Sequence, residues 1–335
     1  ADRDLSFNFP DSVVVLGGYP SGGGILEERD WVCYKTILCG DIGIVGDNSD
    51  NSYHVVVTTN VDSVTVIDGF CITDGNANGS GMNRGNGGGW LNEGSGEGNE
   101  SSPTIVNCVI TGNRAAGAGG GMFNNGSDLG NSSPVLINCI ISNNNAEAGG
   151  GIANYGLNGM SSPTLTNCIV SGNAAAFGGG IYNRGDFQGI STPSLINCDL
   201  VGNSASSQGG GMFNAAANPT MVNSIIWNNS TAFEGFGSFS ITINYSISQA
   251  GAVYIDGGNN KPDGTDPLFI YSPLNTAAPT AAGDFHVQHG SPAINMGENP
   301  STSNTYPTDL DGMSRIAEGI IDIGPYEKLI QCDTD

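Results

Sequence analysis

The stretch Ser102–Asn124, SPTIVNCVITGNRAAGAGGGMFN, recurs as SPVLINCIISNNNAEAGGGIAN from Ser133, SPTLTNCIVSGNAAAFGGGIYN from Ser162 and TPSLINCDLVGNSASSQGGGMFN from Thr192. A partial copy, NPTMVNSIIWNNS from Asn218, puts Ser224 where the others carry Cys, and a looser one, VTVIDGFCITDGNANG, starts at Val64. A repeat of about 30 residues means a solenoid, a propeller or an array. A helical array is excluded, because no copy holds a 3.6-residue apolar period and the glycine triplets would break it. A propeller blade needs four strands in about 40 residues. These units offer only short strands such as 104–110 and 121–124. A parallel β-helix fits: each coil turns once and pairs with the coils above and below at about 4.8 Å.

Each repeated position then has a physical role. Ile105, Cys108 and Ile110 can all face inward only if the chain bends near Asn107, and Asn tolerates the left-handed conformation of such a bend. Stacked one per coil, Asn107, Asn138, Asn167, Asn197 and Asn223 are expected to form an amide ladder that satisfies buried polar groups. A second Asn column runs through Asn113, Asn144, Asn173, Asn203 and Asn229, and a third through Asn92, Asn124, Asn154, Asn183 and Asn214. The glycine triplets permit positive φ and close backbone approach at a corner. Pro in each Ser/Thr-Pro pair opens a strand, where its missing N–H is tolerated.

Composition agrees and narrows the partners. The chain has 335 residues, 53 Gly, 12% charged residues and a formal net charge of −23. Such a surface repels nucleic acid and anionic membranes. No apolar stretch is long enough to span a bilayer. No cofactor is indicated. A structural Ca²⁺ is the one metal the acidity admits, although no ligand loop is explicit.

Of the eight cysteines, Cys108, Cys139, Cys168 and Cys198 share one register, and an inward column of small thiols packs well without bonding. Ser224, at the same register, shows that the site takes a small side chain with no partner. Cys33, Cys39, Cys71 and Cys332 lie outside that register. Cys33 and Cys39 are the local candidates for a disulfide in an oxidising compartment.

The coils, N-C-x-I-x-x-N followed by G-G-G-I/M-x-N, resemble the right-handed β-helix repeats of bacterial surface proteins. The polymorphic outer-membrane proteins are a more distant likeness. LGGYPSGGGILEERDW and VIDGFCITDG are similar to the opening coils of that large group. DPLF, DFHVQHGSPAINMG and TDLDGMSRIAEGIIDIGPYE resemble the choice-of-anchor Q region that closes many of its members. The resemblance covers about Val13 to Glu327. It implies an all-β right-handed parallel β-helix, secreted and displayed on a cell surface. Opening coils or a cap occupy 1–63, regular coils 64–250 and a closing segment 251–335. It implies no activity.

The residues themselves bear on catalysis. A polysaccharide lyase needs a Lys, Arg or His base with Ca²⁺ or Arg to stabilise a uronate. Between Thr36 and Asn260 there are no Lys, one His (His54) and three Arg (Arg84, Arg114, Arg184). A hydrolase needs paired carboxylates, yet Asp128, Glu147, Asp186 and Asp199 fall at four different coil positions. Asp199 stands where other coils carry Val or Ile, outward on its strand. Asp309, Asp311 and Arg315 in TDLDGMSR form either a cation site or, more simply, a closing turn. Trp31, Trp90 and Trp227 are too dispersed to mark a glycan groove. The expected function is therefore structural or adhesive and non-catalytic. The partner is a second copy of the chain, met through open β-helix ends, or a glycan or other cell-surface ligand. The alternative is a polysaccharide-binding or polysaccharide-cleaving protein.

Overall fold

The computed structural model describes residues 2–186, 188–299 and 307–328. Cys332 lies outside the described residues. Each coil contributes one strand to each of three parallel sheets. In the coil that opens at Ser102 these strands are Thr104–Val106, Val109–Thr111 and Met122–Asn125. The first sheet has nine strands, from Val14–Leu16 to Ile255–Gly258. The second has eight, from Thr36–Cys39 to Ile247–Ser248, and the third eight, from Phe7–Asn8 to Phe233–Phe236. The chain is a right-handed parallel β-helix, the hand that parallel crossovers take. Nine strands at about 4.8 Å make a rod roughly 40 Å long. Residues 1–63 already join all three sheets, and the first sheet extends past 250 to Gly258.

The corner at Asn107 is left-handed, with φ of 50°, and its equivalents Asn138, Asn167, Asn197 and Asn223 have φ between 50° and 52°. This single residue splits 104–110 into two strands of different sheets, so Ile105, Cys108 and Ile110 all enter the core. At the opposite corner Gly119 has φ of +70°, and a Cβ there would stand 2.3 Å from the Met122 carbonyl oxygen. The interior is a set of stacked rows, such as Ile105, Leu136, Leu165 and Leu195 from the first sheet and Trp90, Met122, Ile152 and Ile181 from the third.

The interior amide ladders are the second and third Asn columns, not the first. Nδ2 of Asn113 donates to Oδ1 of Asn144 at 3.1 Å, and the chain of amides continues through Asn173 and Asn203 to Asn229. Each backbone N–H in that column donates to the same Oδ1, and each Nδ2 also reaches a backbone carbonyl of the preceding coil. Asn92, Asn124, Asn154, Asn183 and Asn214 form a second unbroken line at 2.8–3.1 Å. The first column makes only two such links, Asn138 to Asn107 at 3.3 Å and Asn167 to Asn138 at 3.2 Å. A left-handed Asn turns its side chain outward, and there other segments take it over: Asn107 donates to Asp68, Asn167 to the Thr308 carbonyl and Asn223 to the Glu298 carbonyl.

Residues after Gly258 do not simply close one end. Lys261 and Gly264 donate to Ser246 and Ser248 and so cover the end of the second sheet. The chain then runs back along the outer face of that sheet as an antiparallel hairpin, Phe269–Tyr271 and Asp284–Val287, and the stretches 288–299 and 307–328 that follow hold no further strand of the three sheets. Phe269, Phe285, Val287, Ala293 and Ile323 pack on Ile169, Val201, Ile225 and Ile247 in a second apolar cluster outside the coils.

Candidate functional site

The outward positions of the second sheet form one row: Ile37, Cys71, Val109, Ile140, Ile169, Asp199, Ile225 and Ile247. The closing segment covers the row from Ile169 onward. On Cys71, Val109 and Ile140 it stops short, and the N-terminal segment approaches from the other side. Between them lies a cleft of about 260 Å³, with Trp31, Val32, Lys35 and Phe70 on one wall and Leu310, Asp311 and Tyr326 on the other. Asn107 and Asn138 of the outer column border it. A neighbouring hollow of about 290 Å³ continues past Tyr326 over Ile169, beside Asp284 and His286.

Both aromatic walls are held from behind by a cation on a carboxylate. Arg29 lies over the Trp31 ring, 4.9 Å from its centroid, and grips Asp68 with two nitrogens. Asp68 also accepts from Asn107 at 2.8 Å. On the other wall the His286 ring stacks on Tyr326 with centroids 3.9 Å apart. Its Nδ1 lies 2.6 Å from Asp284 Oδ1 and its Nε2 2.7 Å from Asp311 Oδ2. Burial alone would lower the His286 pKa, but the two carboxylates outweigh it and hold the imidazole above its ordinary range. Burial likewise works to raise Asp284, and the histidine outweighs it and holds that carboxyl low. With both nitrogens donating, His286 has no lone pair for a substrate proton. It is a clamp between the hairpin and the Asp311 turn.

The acidic groups foreseen in the sequence are placed differently. Asp309 accepts from the backbone N–H groups of Asp311, Met313 and Glu327 at 2.7–3.0 Å, so it builds the closing turn. Asp311 faces His286 instead of sharing a cation with Asp309. Among the described residues no group of three or more His, Cys, Asp or Glu is placed to hold a metal ion. Arg315 does not join that pair. It is buried, 3.4 Å from Glu327, and donates to the carbonyls of Asp322 and Gly324. Burial pushes the Glu327 carboxyl up to about 8, against the pull of Arg315. Asp199 points outward from its strand, as its register requires, yet it is fully buried under the closing segment. Neither of its oxygens has a hydrogen-bond partner, and desolvation holds its pKa well above the carboxylate range. Asp128 and Glu147 are exposed, and Asp186 pairs with Arg184 at 3.2 Å, so the coil acids are not brought together. His54 is buried and bonded to the Gly87 carbonyl, and His289 is exposed.

Cys108, Cys139, Cys168 and Cys198 are buried and unbonded, and their sulfurs lie against backbone groups. The backbone N–H of Cys139 reaches the Cys168 sulfur at 3.4 Å, and that of Cys168 reaches Cys198 at the same distance. Cys198 N–H reaches the Ser224 hydroxyl at 3.2 Å, so sulfur and oxygen serve alike. The expected Cys33–Cys39 bridge does not form. Cys33 sits in the turn held by Asp30, whereas the Cys39 thiol is turned to Asp74 at 3.5 Å.

Tyr326, Leu310 and the pairing of Trp31 with a second aromatic were not foreseen. A further aromatic line crosses the outer face of the third sheet. Phe123 meets Tyr155 at 5.0 Å, Tyr155 meets Tyr182 at 5.8 Å, Tyr182 stacks on Phe213 at 5.4 Å, and Phe213 meets Phe236 at 5.8 Å. Phe123 and Phe213 are buried there, so much of this line is packing. Of the tryptophans, Trp90 is core, with its N–H on Thr58, and Trp227 packs under the closing segment.

No family model matches the chain, and no curated protein matches it. Among solved structures it is similar to a chain described as the crystal structure of pectate lyase Pel9A. The identity is 13% and the TM-score 0.37, covering 98% of this chain and 87% of that one. At that level no residue role is carried over.

Proposed function

We propose that this protein is a non-catalytic, extracellular structural or adhesive β-helix whose copies associate end to end. The observation that carries this reading is the set of outermost strands in the first coil of the described residues. Three strands, Phe7–Asn8, Val14–Leu16 and Thr36–Cys39, are each the outermost of their sheet. Around them Leu5, Phe7, Val14, Val32, Ile37, Ile44 and Val45 are exposed, Val45 at 91%. Open parallel edges template a further strand. At the other end Phe233–Phe236 and Ile255–Gly258 are again outermost, with Phe236, Val253 and Ile255 exposed. At that end the first and third sheets of one copy present the strand partners that the first strands of those sheets lack in the next copy. Such head-to-tail contact extends without closing. Light scattering and electron microscopy of the purified protein over a concentration series are expected to show rods that lengthen at constant width. Compact single particles at every concentration would reject the reading.

Polysaccharide binding is the second reading, and the cleft between Trp31 and Tyr326 favours it. A cleaving activity lacks comparable support, since His286 is occupied at both nitrogens and the coil acids stand apart.

A further inference from the structure

We infer that the cleft over Val109 and Ile140 is a binding site for one pyranose ring of a saccharide, with Trp31 and Tyr326 as its two faces. The inference rests on the second reading above and gives it a place and a ligand geometry. A sugar ring has apolar C–H faces and an edge of hydroxyls that both donate and accept. The cleft has matching parts: aromatic walls, an aliphatic floor of Val109 and Ile140, and a rim of mixed polarity. On that rim Lys35 only donates, Asp311 only accepts, and the amides of Asn107 and Asn138 do both. Lys35 is in no ion pair among the described residues, so its ammonium is available to a ligand. Asp311 has given one oxygen to His286 and keeps the other.

The site is preorganised. Trp31 is fixed by Arg29 on Asp68, and Tyr326 by His286 between Asp284 and Asp311, so neither ring must be ordered when a ligand enters. At about 260 Å³ the cleft lies just under the usual range for small-molecule sites, about 300–1,000 Å³, which suits one ring and not a long chain lying flat. The protein's net charge of −23 disfavours polyanions, so neutral sugars are the class expected.

The test is titration of the full chain with neutral hexoses, N-acetylhexosamines and their short oligomers. Binding is read by tryptophan fluorescence and calorimetry for the wild type and for Trp31→Ala, Trp31→Phe, Lys35→Ala and Tyr326→Ala. Wild-type binding is expected to weaken about tenfold or more in Trp31→Ala and Tyr326→Ala. Trp31→Phe should retain most of it. Lys35 is an exposed rim residue, so Lys35→Ala should keep the wild-type melting temperature and still bind more weakly. Binding that Trp31→Ala, Tyr326→Ala and Lys35→Ala all leave unchanged would overturn the cleft site while leaving a glycan reading intact. No binding of any of these sugars by the wild type up to about 10 mM would overturn both.

Discussion

Asn107 and Asn113 stand six residues apart in one coil and serve different ends. The first fixes a left-handed corner, and the second carries a buried amide line. Substitutions one coil on separate the two. Asn144→Ala removes the acceptor for the backbone and side-chain N–H of Asn113 and a donor to the Ile110 carbonyl. It is expected to cost about 1–3 kcal/mol for each buried group left unpaired, measured by denaturant unfolding. Asn138→Gly should be near neutral because glycine accepts that φ, whereas Asn138→Ala should cost about 1–2 kcal/mol. Equal losses for Asn138→Gly and Asn144→Ala would contradict this division. Both columns were legible as columns. Which one faces inward was not, since direction follows from the corner's φ and not from spacing. Asp199 is the second residue with a measurable signature. Its folded pKa lies above the unfolded value of about 3.9, so its protonation favours the folded state. Stability is therefore expected to fall as pH rises from about 4 through the folded pKa. Asp199→Val, restoring the apolar row, should remove that slope and raise the melting temperature at neutral pH. A mutant less stable than wild type at pH 7 would show that Arg315 needs this carboxylate.

At the scale of elements, the three sheets carry their surroundings in their patterns. In strands of the first sheet burial alternates, as in TLT, SLI and TMV, where the middle residue is buried and its neighbours are partly or fully exposed. Those of the second read VIT, IIS, IVS and IIW, apolar on both faces. Continuous apolar strands are covered on both sides, so the sequence did hold a sign that something packs outside this sheet. What packs there was not readable, because the closing segment has no repeat of its own and its register is set by tertiary contacts such as Thr280 N–H to the Gly172 carbonyl. The His286 clamp joins two parts of that segment. Because its folded pKa is raised, the stabilisation is fully present below the unfolded value of about 6.5 and is lost as pH rises through the folded value. Amide exchange in 269–287 and 307–328 is expected to speed up across that window in the wild type. In His286→Gln it should be fast and pH-independent once intrinsic rates are corrected. Identical profiles for the two proteins would remove the clamp from the account.

For the whole molecule, the repeat alone specified stacked coils and the resemblance supplied their hand, whereas the division of 104–110 between two sheets, which makes three in all, was visible only in the structure. The cleft was not legible, because it joins residues about 300 positions apart, Trp31 and Tyr326, through a segment that folds back along the rod. The ends were legible only as ends. Their exposed strands and apolar side chains became apparent once Phe7–Asn8 and Val14–Leu16 proved to be outermost in their sheets. A net charge of −23 opposes contact between copies. End-to-end association should therefore strengthen with salt, as the screening length falls from about 10 Å at 0.1 M to about 3 Å at 1 M. Sedimentation velocity over a concentration series at low and high salt, comparing the wild type with Phe7→Lys/Val14→Lys, tests this most directly. The expected result is a wild-type boundary that moves to larger species with concentration and salt, and a double variant that stays monomeric. A wild type that sediments as one monomeric species under all those conditions would contradict it.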